Sequence, residues 1–235
     1  IFLTGRAYDQ IRTQVCYPGL PVKLAGSSSG LTVGADGASH QSLEDIALMR
    51  VLPNMTVLVP ADDIETRQAT EAAVDIPGPV YLRLGRYPVP RVHSDDYQFR
   101  LGEVTRLRVG GDAALLATGH MVCNALDAAE SLAAQGIRAR VCSVCSIKPL
   151  QVEAVLREVA AVSAVVTVEE HSIIGGLGSA VAEVLLEAGA GHLAFKRIGT
   201  RDTFGESATA DELLTVYGLQ PDCIAAEVAA LLRRI

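Results

Sequence analysis

The sequence contains no tryptophan, and aromatic residues make up only 4% of its 235 positions. That scarcity argues against stacking platforms for single-stranded nucleic acids or glycans. It also has no excess of positive charge: 20 Lys and Arg stand against 27 Asp and Glu, a formal net charge of −7. Binding to nucleic-acid backbones needs a basic face, so a general nucleic-acid binder is excluded, while a local basic site for a small phosphate stays open. No apolar run reaches the ~18 residues a spanning helix requires, and no charged segment precedes an apolar core as in a signal peptide. The expectation is a cytoplasmic protein without membrane contact. Five cysteines without regular spacing do not form a disulfide framework and fit a reducing compartment.

What is present is an ordinary globular mixture, 49% hydrophobic and 20% charged, long enough for one large or two small domains. Apolar, β-rich runs recur at Pro21 to Gly26, Thr56 to Val59, Pro79 to Leu84, Ala113 to Thr118, Ile137 to Val144, Ser163 to Val168 and His192 to Ile198. Helical stripes lie between most of them. Met121, Val122, Ala125, Ala129 and Leu132 form one; Val152, Val155, Leu156 and Val159 another; Leu177, Val181 and Leu185, then Ile224, Val228 and Leu231, two more. Strands alternating with single helices predict an α/β protein of two open, mostly parallel sheets with helices on both faces. The rhythm breaks between Gly85 and Gly111, where Pro88, Pro90 and a His-Ser-Asp-Asp run interrupt it. The expected division is a first unit at 1–94, a linker at 95–110 holding one irregular strand (Val104 to Val109), and a second unit at 111–235. Three strands are thin for an open sheet, and the chain starts at Ile1 rather than Met. The first unit is therefore expected to be N-terminally incomplete.

The densest chemical feature is Gly26-Ser-Ser-Ser-Gly-Leu-Thr-Val-Gly-Ala-Asp-Gly-Ala-Ser-His40-Gln. It follows a strand, where parallel α/β sheets bind ligands. Its glycines allow close backbone approach, and Asp36 and His40 can face one crevice, the histidine exchanging protons near neutral pH. The alternative is a turn-rich loop in which Ser39 or Asp36 merely caps a helix. Arg83 and Arg86, at the end of Pro79-Val-Tyr-Leu-Arg83-Leu-Gly-Arg86, are either anion clamps or solvated strand-end arginines. Glu169-Glu-His171-Ser-Ile-Ile-Gly-Gly-Leu-Gly178 lacks the spacing of a phosphate loop and reads as a tight strand-to-helix turn. His120-Met-Val-Cys123 with Cys142-Ser-Val-Cys145 imitates zinc spacing, but cysteines three apart on a strand point to opposite faces. Zinc and a redox pair remain alternatives there. Cys16 and Cys223 read as small apolar packing residues, His93 as solvated, and His192 as a satisfied structural residue.

The segment Gly34-Ala-Asp-Gly-Ala-Ser-His-Gln, continuing through Leu52-Pro-Asn-Met-Thr-Val-Leu-Val-Pro60-Ala-Asp, closely resembles the pyrimidine-binding domain of transketolases. Gly5-Arg-Ala-Tyr-Asp-Gln-Ile-Arg12, Tyr81 to Arg86, Ser146-Ile-Lys-Pro-Leu150, Val168 to Ser179 and Arg201-Asp-Thr-Phe-Gly-Glu206 continue the likeness in the family's order along nearly the whole chain. The chain is most similar to the carboxy-terminal subunit of two-chain transketolases. 1-Deoxyxylulose-5-phosphate synthase shares several motifs, and the β subunit of pyruvate dehydrogenase is a more distant relative.

The resemblance implies a partial pyrimidine-binding domain followed by a transketolase C-terminal domain. It implies thiamine diphosphate and Mg²⁺ as cofactors, sugar phosphates as substrates, and a place in the pentose phosphate pathway. It further implies His40 beside the thiazolium and substrate oxygens, Asp36 on a donor hydroxyl, Arg86 on substrate phosphate with Arg83 as the weaker candidate, and Phe2 against the aminopyrimidine ring. Where many transketolases place a phosphate-contacting histidine, this chain has Ser28. The family's pyrimidine-protonating glutamate would lie before Ile1. Diphosphate and metal are expected on a diphosphate-binding domain or N-terminal subunit, in a homodimer or heterotetramer, and the isolated chain is expected to be inactive. The competing readings are deoxyxylulose-phosphate synthesis, a non-catalytic dimerisation or assembly module, and a nucleotide-binding protein, the last disfavoured by the missing dinucleotide fingerprint.

Overall fold

The computed structural model describes residues 1–235. Two wide π-type turns, Phe2–Arg6 and Ile11–Cys16, flank the short helix α1 (Tyr8–Gln10) and open the chain. The first sheet contains β1 (Lys23–Gly26), β2 (Thr56–Leu58) and β3 (Val80–Arg83), all parallel in the order β1-β3-β2. Helices α2 (Asp45–Arg50) and α3 (Asp63–Asp75) belong to this half. The second sheet has the order β4-β6-β5-β8-β9, from β4 (Thr105–Arg108), β5 (Ala113–Ala117), β6 (Ala139–Ser143), β8 (Ala164–Ser172) and β9 (Ala194–Thr200). It is parallel except for β4, which runs antiparallel to β6. Helices α4 (Met121–Ala133), α5 (Val152–Val159), α6 (Leu177–Glu187), α7 (Ala210–Val216) and α8 (Pro221–Leu232) complete it. The α/β class with two mostly parallel sheets is as expected from the sequence.

Alternating strand positions divide the core. Val57 and Tyr81 face one cluster, while Leu58, Val80 and Leu82 face another that includes Ala69 and Ala73 of α3. In the second sheet Leu115, Val166 and Val168 pack with Met121, Ala125 and Val228, whereas Leu116 and Val165 pack with Val155 and Val181. Both faces of β2, β3, β5, β6 and β8 are buried, which is why these strands read as continuous apolar runs, whereas β1 and β4 are partly exposed. Two large clusters join the halves: Ile46, Met49 and Val57 of the first pack with Leu116, Val155 and Val181 of the second, and Leu31, Leu43 and Ala61 pack with Leu115, Met121 and Leu213.

A further strand, β7 (Ser146–Lys148), comes from the second half and pairs antiparallel with β2 as the fourth strand of the first sheet. Nothing local marks it as a strand: three residues, closed by Pro149, are too few to show a period, and the partner is distant in sequence.

Three expectations need correction. His93 is 6% exposed rather than solvated. Asp62 caps α3 by accepting the Glu65 N–H at 2.9 Å, and its other oxygen accepts the Val92 and His93 N–H groups at 2.9 and 2.8 Å, which draws the proline-rich segment inward. The His93 ring then lies 3.1 Å from Asp62 and 4.2 Å from the Tyr97 ring centroid. His192 is exposed in the turn before β9, not built into a strand. Arg83 neither clamps an anion nor reaches solvent: it is 5% exposed, with Nε 2.7 Å from Asp45 Oδ2. Cys142 and Cys145 are free thiols in two different core clusters.

Candidate active site

The loop after β1 leaves the sheet at Gly26 and enters a tight helical stretch, Leu31–Asp36. Gly34 kinks it with φ 81°, a region that favours glycine. Residues Ser39 to Gln41 then return the chain to α2. Gln41 holds this shape from inside: its Nε2 donates to the carbonyls of Leu31 and Gly34, at 3.3 and 3.1 Å, and to Glu206 of the second half at 2.9 Å. Neither Asp36 nor Ser39 caps α2, whose N-cap is Glu44.

A cavity of about 330 Å³ opens against this loop, and Phe2, Ser28, Asp36 and His40 all line it. Phe2 meets His40 edge-on, with centroids 4.9 Å apart, while the Arg6 guanidinium lies 4.2 Å from the Phe2 centroid. Half-buried Ser28 has φ 58°, a conformation that non-glycine residues adopt at a cost of roughly 1–3 kcal/mol. The His40 Nδ1 lies 3.0 Å from the Ser39 hydroxyl. Arg86, on the segment after β3, does not line the cavity. Its Nη1 donates to Asp36 Oδ2 at 3.0 Å, with both side chains about half exposed. Such an exposed pair contributes at most ~1 kcal/mol, so the guanidinium is available to a better anion. Ser42 also lines this cavity, and its buried Oγ has no hydrogen-bond partner.

Below the loop, the Asp45 carboxylate accepts the Tyr81 hydroxyl at 2.6 Å and Arg83 Nε at 2.7 Å. Burial works against its charge, and Arg83 outweighs that and holds the carboxyl below the usual range. Arg83 Nη2 also donates to the Ser42 and Glu170 carbonyls at 3.1 and 3.0 Å. Glu169 accepts the Leu177 and Gly178 N–H groups at 2.7 and 2.8 Å, closing the turn from β8 into α6. His171 is fully buried, which pushes its pKa down to about 4.

These observations, from the helical first segment through the loop and cavity to the Ser146–Lys148 strand, coincide with two matched family models. "Transketolase, pyrimidine binding domain" matches residues 1–91 and "Transketolase, C-terminal domain" residues 102–224. The chain belongs to the transketolase family. A chain described as 6-deoxy-6-sulfo-D-fructose transketolase subunit SqwH, from Clostridium sp. (strain MSTE9), is 46% identical, the match covering 93% of this chain and 67% of that one. A solved structure described as "Split gene transketolase, inactive beta4 tetramer" superposes with TM-score 0.90 at 48% identity, over 99% of this chain and 74% of its own. The 1-deoxy-D-xylulose-5-phosphate synthase 2 of Geobacter sulfurreducens is 39% identical over 97% of this chain and 37% of its length. This transketolase-family chain is thus part of a ketol-transferring enzyme of the thiamine-diphosphate-dependent type. No helix in it is long and apolar enough to cross a membrane.

Several residues around the transketolase loop carried no sequence signal. Asp45 belongs to none of the motifs that the sequence singles out, Glu170 reads as part of a turn, and His120 as half of a zinc-like motif. His120 lies close to the loop, its Nδ1 3.7 Å from Glu170 Oε2 and its ring stacked on Tyr87 at 5.1 Å. Burial works against its charge, but the Cys123 sulfur and the Glu170 carboxylate outweigh that and hold its pKa up to about 9. From an unfolded value of about 6.5, the folded chain binds the extra proton throughout pH 6.5 to 9. This stabilisation is therefore complete below pH 6.5 and is lost as pH rises towards 9. Urea unfolding at both pH values should register the loss in the wild type and a smaller one in His120→Gln; equal slopes would refute the assignment.

Proposed function

We propose that this chain supplies the pyrimidine-binding and C-terminal domains of a cytoplasmic transketolase that moves a two-carbon ketol unit between sugar phosphates. The observation that carries this reading is the convergence of Phe2, Ser28, Asp36 and His40 on one cavity, with Arg86 paired to Asp36 at its edge. In this reading residues 1–94 form the pyrimidine-binding unit, 95–110 join the units, and 111–235 form the C-terminal domain.

The cavity fits the pyrimidine half of thiamine diphosphate. Phe2 is 42% exposed and offers an aromatic surface, and the unpartnered Ser42 hydroxyl offers a polar contact. For the other half, no three His, Cys, Asp or Glu side chains gather as a metal site. Diphosphate and Mg²⁺ are assigned to a diphosphate-binding domain or N-terminal subunit, within a homodimer or heterotetramer. The inactive β4 assembly named for the 48% identical structure supports the need for such a partner, and the chain alone is proposed to be inactive.

When bound, thiamine diphosphate supplies the electron sink for cleaving and forming the carbon–carbon bond. The residues of this chain bind, orient and move protons. His40 exchanges a proton with the substrate oxygen at the reacting carbon and stabilises charge developing there. The Ser39 hydroxyl at its Nδ1 leaves Nε2 as the exchanging atom. Asp36 accepts a hydrogen bond from a donor hydroxyl. Arg86 exchanges its Asp36 contact for the substrate phosphate, which its planar fork matches, and Ser28 adds a hydroxyl to that grip. Phe2 packs against the aminopyrimidine.

The test is one mass-spectrometric assay of the complete enzyme with cofactor, Mg²⁺, xylulose 5-phosphate, ribose 5-phosphate, pyruvate and glyceraldehyde 3-phosphate. Seven-carbon sugar phosphate without carbon dioxide is the expected product. Deoxyxylulose phosphate with carbon dioxide would replace the reaction by that of the synthase, which the 39% identical relative favours. Neither product would favour an assembly role. Arg86→Ala should raise KM for the ketose phosphate about 10- to 100-fold, as expected for a lost charged hydrogen bond, with a smaller effect on kcat. An unchanged KM would remove Arg86 from the phosphate grip.

A further inference from the structure

We propose that Glu170, on β8 of the second sheet, is the positioning residue that sets the His40 loop against the Arg86 segment. The inference rests on the roles given above to His40 and Arg86. It makes the C-terminal domain a builder of the substrate site rather than an assembly surface alone.

Glu170 is 4% exposed, and Oε1 accepts the Thr32 N–H at 2.6 Å across a sequence separation of 138 residues. Thr32 lies in the first turn of the stretch that ends at Asp36. A bond to an ionised acceptor is roughly twice as strong as one between neutral groups, and it fixes the start of the loop. The loop passes directly against this carboxylate: Gly30 has φ 84°, and a Cβ there would overlap Glu170. The Glu170 backbone is itself immobilised, because its carbonyl accepts Arg83 Nη2 at 3.0 Å and Arg83 is anchored on Asp45.

The other oxygen of Glu170 faces His120 Nδ1 at 3.7 Å, and the His120 ring stacks on Tyr87, the neighbour of Arg86. The Tyr87 hydroxyl donates to Asp211 Oδ1 at 2.9 Å, again in the second half. One buried pair thus touches both arms of the site, the loop through Thr32 and the phosphate segment through Tyr87. The far end of the loop has its own strut in the Gln41 bond to the Glu206 carbonyl. Packing alone would be served by an apolar side chain of similar volume; a carboxylate aimed at a loop N–H does more than fill space.

The test uses the complete enzyme with thiamine diphosphate, Mg²⁺, xylulose 5-phosphate and ribose 5-phosphate. Glu170→Leu keeps the volume and removes the acceptor; Glu170→Gln keeps an acceptor for Thr32. Glu170→Leu should lower kcat about 100-fold, the scale of an ångström-sized misplacement, with KM changing less than about threefold. Glu170→Gln should recover all but about fivefold of kcat. Activity within about twofold of wild type for Glu170→Leu would overturn the proposal, as would a kcat loss in both variants that merely follows the folded fraction. Because Glu170→Leu can fail to fold, amide exchange in the unmodified enzyme is a second reading. Protection of the Thr32 amide comparable to that in β8 is expected, and exchange at the rate of the exposed loop would overturn the proposal. His40→Ala assayed in parallel separates the two claims: full turnover there defeats the site assignment itself, whereas full turnover only in Glu170→Leu defeats the positioning role.

Discussion

Replacing His40 by alanine in the complete enzyme is expected to lower kcat by about 100- to 10,000-fold, the usual contribution of a positioned acid–base group. The fold should barely notice. His40 is exposed, and its side-chain contacts are the Ser39 hydroxyl and the edge of Phe2. Surface substitutions of this kind usually change stability by no more than ~0.5 kcal/mol. The diagnostic result is therefore a large loss of turnover at an unchanged melting temperature. Single-turnover measurement adds detail, since loss at the bond-making step with little change in substrate binding is the signature of a group acting in the transition state. Turnover within about threefold of wild type would remove His40 from the chemistry and leave its position at the cavity without a purpose.

The largest effect on stability is expected at Arg83. Arg83→Ala leaves Asp45 buried and uncompensated, and breaking one half of a buried pair costs about 3–5 kcal/mol. Asp45 is fully buried, so water cannot replace the lost partner. The substitution also strips the Ser42 and Glu170 carbonyls of a donor. Urea unfolding of Arg83→Ala, Asp45→Leu and the double variant forms the check. The double variant should be clearly more stable than the sum of the singles, because removing both charges ends the desolvation penalty that each leaves behind. Additive losses would mean that the two residues act independently, against the 2.7 Å contact.

Arg83 also illustrates what the sequence conceals. At the end of an apolar strand, beside a crevice-forming loop, an arginine has the same local pattern whether it faces a ligand or an acid on the helix packed beneath. Only the crossing of α2 under β3 decides it, and Asp45 carries no mark of that crossing. His93 misleads for the same reason in reverse: Pro, Ser and Asp neighbours suggest solvent, and Asp62 draws the segment inward through two backbone bonds. Features that depend on neighbours in sequence were legible. The inner strands β2, β3, β5, β6 and β8 announced themselves as apolar runs because both of their faces are covered. The glycine-rich loop announced its cavity because Asp36 and His40 lie within one short stretch, and Ser28 was added by family resemblance. Phe2 joined them through family resemblance alone. Glu170 and Gln41 were invisible because their meaning lies in partners on the opposite half of the molecule.

The short strand β7 has a consequence for how this molecule folds. It covers the edge of β2, a row of backbone groups that would otherwise be a template for intermolecular pairing. A piece of chain ending near residue 94 would expose that row together with the shared core around Ile46 and Val57, and would tend to aggregate rather than fold. The two halves are therefore expected to unfold as one cooperative unit even though they match separate family models. Opening the first sheet at β7 strains the second through Val144 and Cys145, whose carbonyls accept from Thr118 and Val59. Sequence modules and folding modules are not expected to coincide here, because the sheet of the first module is completed by a strand that the second supplies.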